Sequence, residues 1–158
     1  MTTKGGCMPE IIHYQFIKAP VSQVFDAARS VDLHTKSMTQ SKEKAVGGVT
    51  AGLMEEGDTV TWEAVHFGVR QRLTARIVSM QFPYRFVDVM EQGVFHSFTH
   101  THDFIEKDEG TWMVDTFVYQ SPLGILGRMA DRLFLEKYMT RMLKNRAVVL
   151  KNELEKDG

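Results

Sequence analysis

Cysteine is almost missing from this chain. Cys7 stands alone, so no disulfide can form within the chain. Long apolar runs are missing too. No stretch approaches the roughly 18 apolar residues needed to cross a bilayer, which argues against stable membrane insertion. The leader "MTTKGGC" has no apolar run after Lys4 and does not read as a signal peptide, so the expected location is cytoplasmic. An excess of one charge is also lacking. Lys and Arg number 19 against 20 Asp and Glu, a formal net charge of -1. That balance gives no electrostatic footprint for nucleic acid. No glycine-rich phosphate motif occurs, and no cofactor is expected. Internal repeats and low-complexity segments are absent.

What is present fits an ordinary globular chain. A length of 158 residues favours one domain, placed at 10–155 behind a flexible leader at 1–9 and before a tail at 156–158. Hydrophobic residues make up 43% and charged residues 25%. The 10 methionines suit a core of irregular shape, because methionine adapts to the space it fills.

Periodicity supplies the element order. "EIIHYQFIK" (10–18) alternates as a strand. Pro20 opens a short helix in which Val21, Val24, Phe25 and Ala28 recur at helical spacing. Asp32 is expected to cap one further turn. Strands are expected at 41–46, 59–67, 68–80, 84–91, 94–106 and 111–120, with a Gly-rich connection at 47–58 and a hairpin turn at "KDEG" (107–110). In that connection, Leu53 and Met54 either close over a pocket or anchor the loop. From Leu123 the spacing turns helical and runs toward Glu155, with the last turns expected to fray. Consecutive hairpins predict a curled antiparallel sheet, and one long helix can cover its concave face. Strong curling leaves space between the two, a candidate pocket.

The stretches "HFGV" (66–69), "PYRFVDVMEQGVFHSFTHTHDF" (83–104), "GTWMVDTFVYQSPLG" (110–124), Gly127 and Arg146 resemble a bacterial subgroup of the START/Bet v 1-like (SRPBCC) superfamily. The resemblance runs from about residue 10 to 154. It implies an α+β helix-grip fold, and a cavity for a hydrophobic or amphipathic molecule. Relatives of the cyclase/dehydrase kind imply proton-transfer chemistry as the alternative.

"FHSFTHTHDF" (95–104) carries three histidines. Strand alternation puts His96, Phe98, His100, His102 and Phe104 on one face, expected to look toward the helix and cavity. Asp88 shares a face with Phe86, and Asp115 with Met113, Phe117 and Tyr119. A buried carboxylate needs a partner, and His100 or His102 can supply it. Such a pair either orients a ligand, fixes the sheet, or acts as a general base. Arg146 is expected to reach toward Asp88 or Asp115.

A metal site would draw on His100 and His102 with Glu106 or His66. It is not expected, because no histidine follows residue 102 and nothing places His66 beside the pair. His34 reads as a surface residue and His66 as a polar wall residue. Trp62, Trp112, Phe67, Phe82, Tyr84, Phe86 and Phe95 read as core. Arg70, Arg72 and Arg76 read as a solvated strand face.

The expected ligand contacts are therefore His66, Asp88, Phe98, His100, His102, Asp115, Tyr119, Met129 and Leu133. The catalytic candidates are His100, His102 and Asp115. An exposed sheet face or edge also leaves room for a homodimer.

Overall fold

The computed structural model describes residues 8–121 and 134–156. The expected ligand contacts Met129 and Leu133 lie outside the described residues. Seven strands form one antiparallel sheet: β1 (Glu10–Ile17), β2 (Lys44–Gly48), β3 (Thr59–His66), β4 (Val69–Gln81), β5 (Arg85–Gln92), β6 (Ser97–Lys107) and β7 (Gly110–Gln120). Their spatial order is β1-β7-β6-β5-β4-β3-β2, so every neighbour is a hairpin neighbour except the β1–β7 pair. Helices α1 (Val21–Ala28) and α2 (Val31–Ser37) link β1 to β2 through a short 3-10 turn at Thr39–Ser41. The sheet curls around the long helix α3 (Glu136–Glu155), which gives the α+β helix-grip fold that the hairpin pattern implies.

Helix α3 earns its position by its spacing. Leu143, Arg146, Ala147 and Leu150 are its buried residues, at i, i+3, i+4 and i+7. Three of the four are apolar, and the fourth carries a guanidinium into the core. Twenty residues span about 30 Å, enough to cross the whole concave face. The expected fraying of the last turns is not observed. Lys151 Nζ donates to the Phe16 carbonyl at 3.1 Å, Glu155 Oε1 accepts from the Lys18 amide at 2.9 Å, and Glu153 pairs with Lys36 at 2.8 Å. These polar ties hold the helix end to β1 and α2, and a hydrophobic periodicity could not reveal them.

Two apolar clusters flank the helix. One joins Phe25, Phe86, Phe104, Met113 and Leu150; the other joins Ile11, Phe98, Phe117, Tyr119 and Leu143. Several residues expected in the core lie at the surface instead. Phe67, Phe82, Tyr84 and Trp112 are exposed, whereas Trp62 and Phe86 are buried. Phe67 and Gly68 make the two-residue turn between β3 and β4, both at positive φ (52° and 74°). The Phe67 ring at this hairpin tip is left mostly in solvent, with the Tyr138 ring of α3 at 4.8 Å.

Local chemistry moved several boundaries. Strand β2 starts at Lys44 and runs on to Gly48, later than the expected 41–46. At Gly48, φ is 66° and an added Cβ would meet the Thr59 carbonyl oxygen at 2.1 Å, so only glycine fits. The cap of α2 is Ser30, whose Oγ accepts from the Leu33 amide at 3.2 Å. Asp32, the expected cap, instead accepts from the Gly52 amide at 2.9 Å. That contact, the Ser30–Leu53 bridge and the Met54 amide bond to the Arg29 carbonyl anchor the 47–58 loop.

Buried and solvent-facing residues of one α3 turn should respond differently to truncation. Leu150→Ala should cost about 2–5 kcal/mol in urea unfolding, from lost burial plus a residual cavity. Val148→Ala, on the solvent side of the same turn, should change stability by less than about 0.5 kcal/mol.

Candidate functional site

Strands β5, β6 and β7 pair so that Asp88 faces His100, and His102 faces both Phe86 and Asp115. Alternation then aims one face of β6 at the helix. From Phe98 onward that expectation holds: Phe98, His102 and Phe104 are buried, and Thr99 and Ile105 are exposed. It fails at the strand's start. Pairing begins at Ser97, so residues before it escape the alternation. His96 is exposed, and Phe95 turns inward against Phe98, Phe117 and Tyr119.

The result is a compact polar knot in an apolar surround. His100 Nε2 lies 2.9 Å from Asp115 Oδ1, and His102 Nε2 lies 2.8 Å from Asp88 Oδ2. His102 Nδ1 sits 3.0 Å from Asp115 Oδ1, an ionic contact off the line of a good hydrogen bond. The Arg146 guanidinium approaches Asp115 Oδ1 to 3.5 Å with Nη1, while Nη2 donates to the Ala28 carbonyl at 2.7 Å. Phe86 stacks on the His102 ring at 4.1 Å, and the two imidazoles lie 3.8 Å apart.

The protonation states follow from these neighbours. Burial alone would raise the pKa of Asp115, but the His100 hydrogen bond and the close contact with His102 hold it well below the usual carboxylate range. Asp88 is lowered in the same way, with burial outweighed by the His102 hydrogen bond and the nearby cations. Burial would also lower His102, yet two carboxylates raise it above its ordinary value. His100 goes the other way, lowered by burial and by the charge of His102. Protonated His102 and Arg146 then balance Asp88 and Asp115, and His100 is the neutral fifth member. With Nε2 donating to Asp115, the His100 Nδ1 carries a lone pair and has no partner among the described residues.

A cavity of about 450 Å³ lies between the sheet and α3. Asp88, His100, His102 and Arg146 border it from the knot, and Phe98, Leu73 and Leu143 give its apolar wall. Asp115 does not border it; it stands behind the histidines as their anchor. Tyr119 is buried in the neighbouring apolar cluster and also lies off the cavity wall. His66 reaches the wall at the opposite end, where its Nδ1 bonds the Tyr138 hydroxyl at 2.5 Å.

His34, expected at the surface, belongs to that same end. It stacks on Trp62 at 4.2 Å and bonds the buried Glu43 at 2.7 Å through Nε2. Glu43 gives no signal in the sequence. It precedes an edge strand in a charged segment, "SKEKAV", and only the fold turns it inward.

One donor atom from each of Asp88, His100 and His102 falls within 4.8 Å of the others, a set able to contact a divalent ion. It differs from the set the sequence suggests: Asp88 is present, whereas Glu106 is exposed and accepts from the Tyr84 hydroxyl at 3.3 Å. The His102–Asp88 hydrogen bond would have to open for an ion to enter.

Residues 17–146 match the family described as polyketide cyclase / dehydrase and lipid transport. The chain belongs to this family, within the SRPBCC superfamily of helix-grip proteins. Solved structures agree on the fold. The protein TTHA0849 from Thermus thermophilus superposes with a TM-score of 0.74 at 20% identity, covering 95% of this chain and 99% of that one. Major latex-like protein 151 from Panax ginseng gives 0.68 at 14% identity, covering 94% and 99%. The di-domain ARO/CYC StfQ from the steffimycin biosynthetic pathway gives 0.74 at 13% identity, covering 94% of this chain and 51% of that one. No curated protein matches the sequence. Among the described residues no helix is long and apolar enough to cross a membrane.

The knot sets the pH dependence of stability. The folded pKa of His102 is raised above its reference 6.5. Its contribution is therefore full below the unfolded pKa and is lost as pH rises through the folded one. The carboxylates have lowered values, so theirs is full above the unfolded pKa and is lost as pH falls. At pH 6.5, nitrogen-detected NMR of the imidazoles should find His102 more than half protonated and His100 less than half. The reverse order would contradict the charge assignment.

Proposed function

We propose that this domain binds a small hydrophobic or amphipathic molecule in its internal cavity. The carrying observation is a space of about 450 Å³ whose wall is mainly apolar and whose polar groups gather in few places. Burial of apolar ligand surface contributes roughly 25 cal/mol per Å² before the costs of association. Asp88 and His100, which border the cavity, then orient the polar group. Asp115 holds His100 and His102 in place from behind, and Arg146 balances its charge.

A second reading rests on one specific feature. His100 borders the cavity as a neutral imidazole anchored through Nε2 on Asp115, which leaves Nδ1 as a base. An anchored neutral imidazole facing a substrate can remove a proton without a cofactor, as cyclisation, dehydration or hydrolysis requires. In that reading His100 is the base, Asp115 fixes its tautomer, and His102 stays committed between two carboxylates. The test is His100→Gln: turnover of a converted substrate falls at least about 100-fold while binding changes little.

Native mass spectrometry of the purified protein, beside a denatured control, tests the binding reading. The expected result is an organic adduct at one per chain that disappears on denaturation. Absence of any adduct, together with no uptake of apolar probes, would overturn it.

A further inference from the structure

The end of the cavity opposite the knot carries a second polar cluster. There Glu43 accepts from His34 at 2.7 Å, and Tyr138 bonds His66 at 2.5 Å; all four residues border the cavity. We propose, building on the cavity-binding reading, that the ligand is an elongated uncharged molecule held by a hydroxyl group at each end.

The sheet register separates the two ends. His66 pairs with Val69 at the start of β4, and Asp88 pairs with Ile77 further along the same strand. That offset is about 26 Å of strand, shorter straight across the curl. Leu73 and Ala75 lie between these points and face the cavity, with Met139 and Leu143 opposite on α3. A ligand touching both ends therefore needs a long apolar body.

Although Arg146 and protonated His102 also border the cavity at the knot, the two ends share one pair of groups. Each presents a carboxylate that stays ionised, Glu43 or Asp88, beside an imidazole kept neutral by burial, His66 or His100. With the Tyr138 hydroxyl donating to Nδ1, the His66 Nε2 carries the proton and donates. A ligand hydroxyl can give its proton to Glu43 and accept from His66, and at the far end give its proton to Asp88 or His100. A carboxylate end group would meet Glu43 with like charge at one end, and at the other Asp88 in a knot where Arg146 and His102 are already balanced by Asp88 and Asp115. The Glu43 cluster is also local in sequence: its hydrogen bonds go to His34 and Ser41. Burying a carboxylate there costs free energy unless it is partnered, and the bonds of Glu43 itself stay local, whereas the His66–Tyr138 bond joins β3 to α3.

Titration calorimetry with α,ω-dodecanediol, dodecanol and dodecanedioate tests this on the full chain. Wild-type protein should bind the diol about tenfold tighter than dodecanol, the worth of one further hydrogen bond, and dodecanedioate weakest. His66→Leu should cut the diol's advantage over dodecanol to less than about threefold. Glu43→Gln, which removes the charge and keeps the shape, should strengthen dodecanedioate binding. Should one variant fail to fold, the other still decides. Equal binding of diol and dodecanol to the wild type, or a diol advantage that survives His66→Leu, would overturn the two-ended inference and leave cavity binding standing. Tightest binding of dodecanedioate would overturn it as well. If none of the three binds, the cavity-binding reading falls, and this inference with it.

Discussion

The contact between Arg146 and Asp115 is the constraint on which the rest depends. Asp115 is 1% exposed and Arg146 5%, so neither charge has water to fall back on. Each leans on the other, Asp115 also on the histidines and Arg146 also on the Ala28 carbonyl. The pair joins α3 to the centre of the sheet and to the end of α1. A hollow protein has a particular use for such a joint. Apolar packing cannot fill the cavity without abolishing it, so part of the helix is held by directional polar contacts instead. A buried ion pair is weak evidence for net stability, but losing one partner strands the other and costs about 3–5 kcal/mol.

That joint also explains why the histidines differ. His102, between Asp88 and Asp115 and under the Phe86 ring, is the charge that completes the balance. His100 shares the same carboxylate oxygen, but burial and that neighbouring positive charge keep it neutral. Two imidazoles two residues apart thus take opposite roles in the charge balance, one protonated between two carboxylates and one neutral, though both border the cavity. Their strand register alone could not assign these roles; the positions of Asp88 and Arg146 do.

Much of the fold was legible because its elements announce themselves. Hairpin turns such as Lys107–Gly110, alternation along β6 and β7, and the i, i+3, i+4, i+7 spacing of α3 follow from short-range geometry. Asp88, His100, His102 and Asp115 were legible as a set because they sit on apolar faces where an unpartnered charge is costly. What escaped were properties fixed by distant contacts. His34 and Glu43 look like surface residues in a polar segment until α2 and β2 fold over Trp62. Phe67, Tyr84 and Trp112 look like core until turn geometry, or for Trp112 the outer face of the sheet, leaves them in solvent. The phase slip at Phe95 and His96 depends on where pairing with β7 begins, which no local pattern states.

A double-mutant cycle on Arg146→Met and Asp115→Asn, read by chemical unfolding at neutral pH, tests the central claim most directly. The account predicts that each single change is costly and that the double variant recovers at least about 1 kcal/mol of the summed loss, the coupling expected of groups in one buried network. Additive losses, with no recovery, would show that helix and sheet are held independently of this pair and would contradict the account.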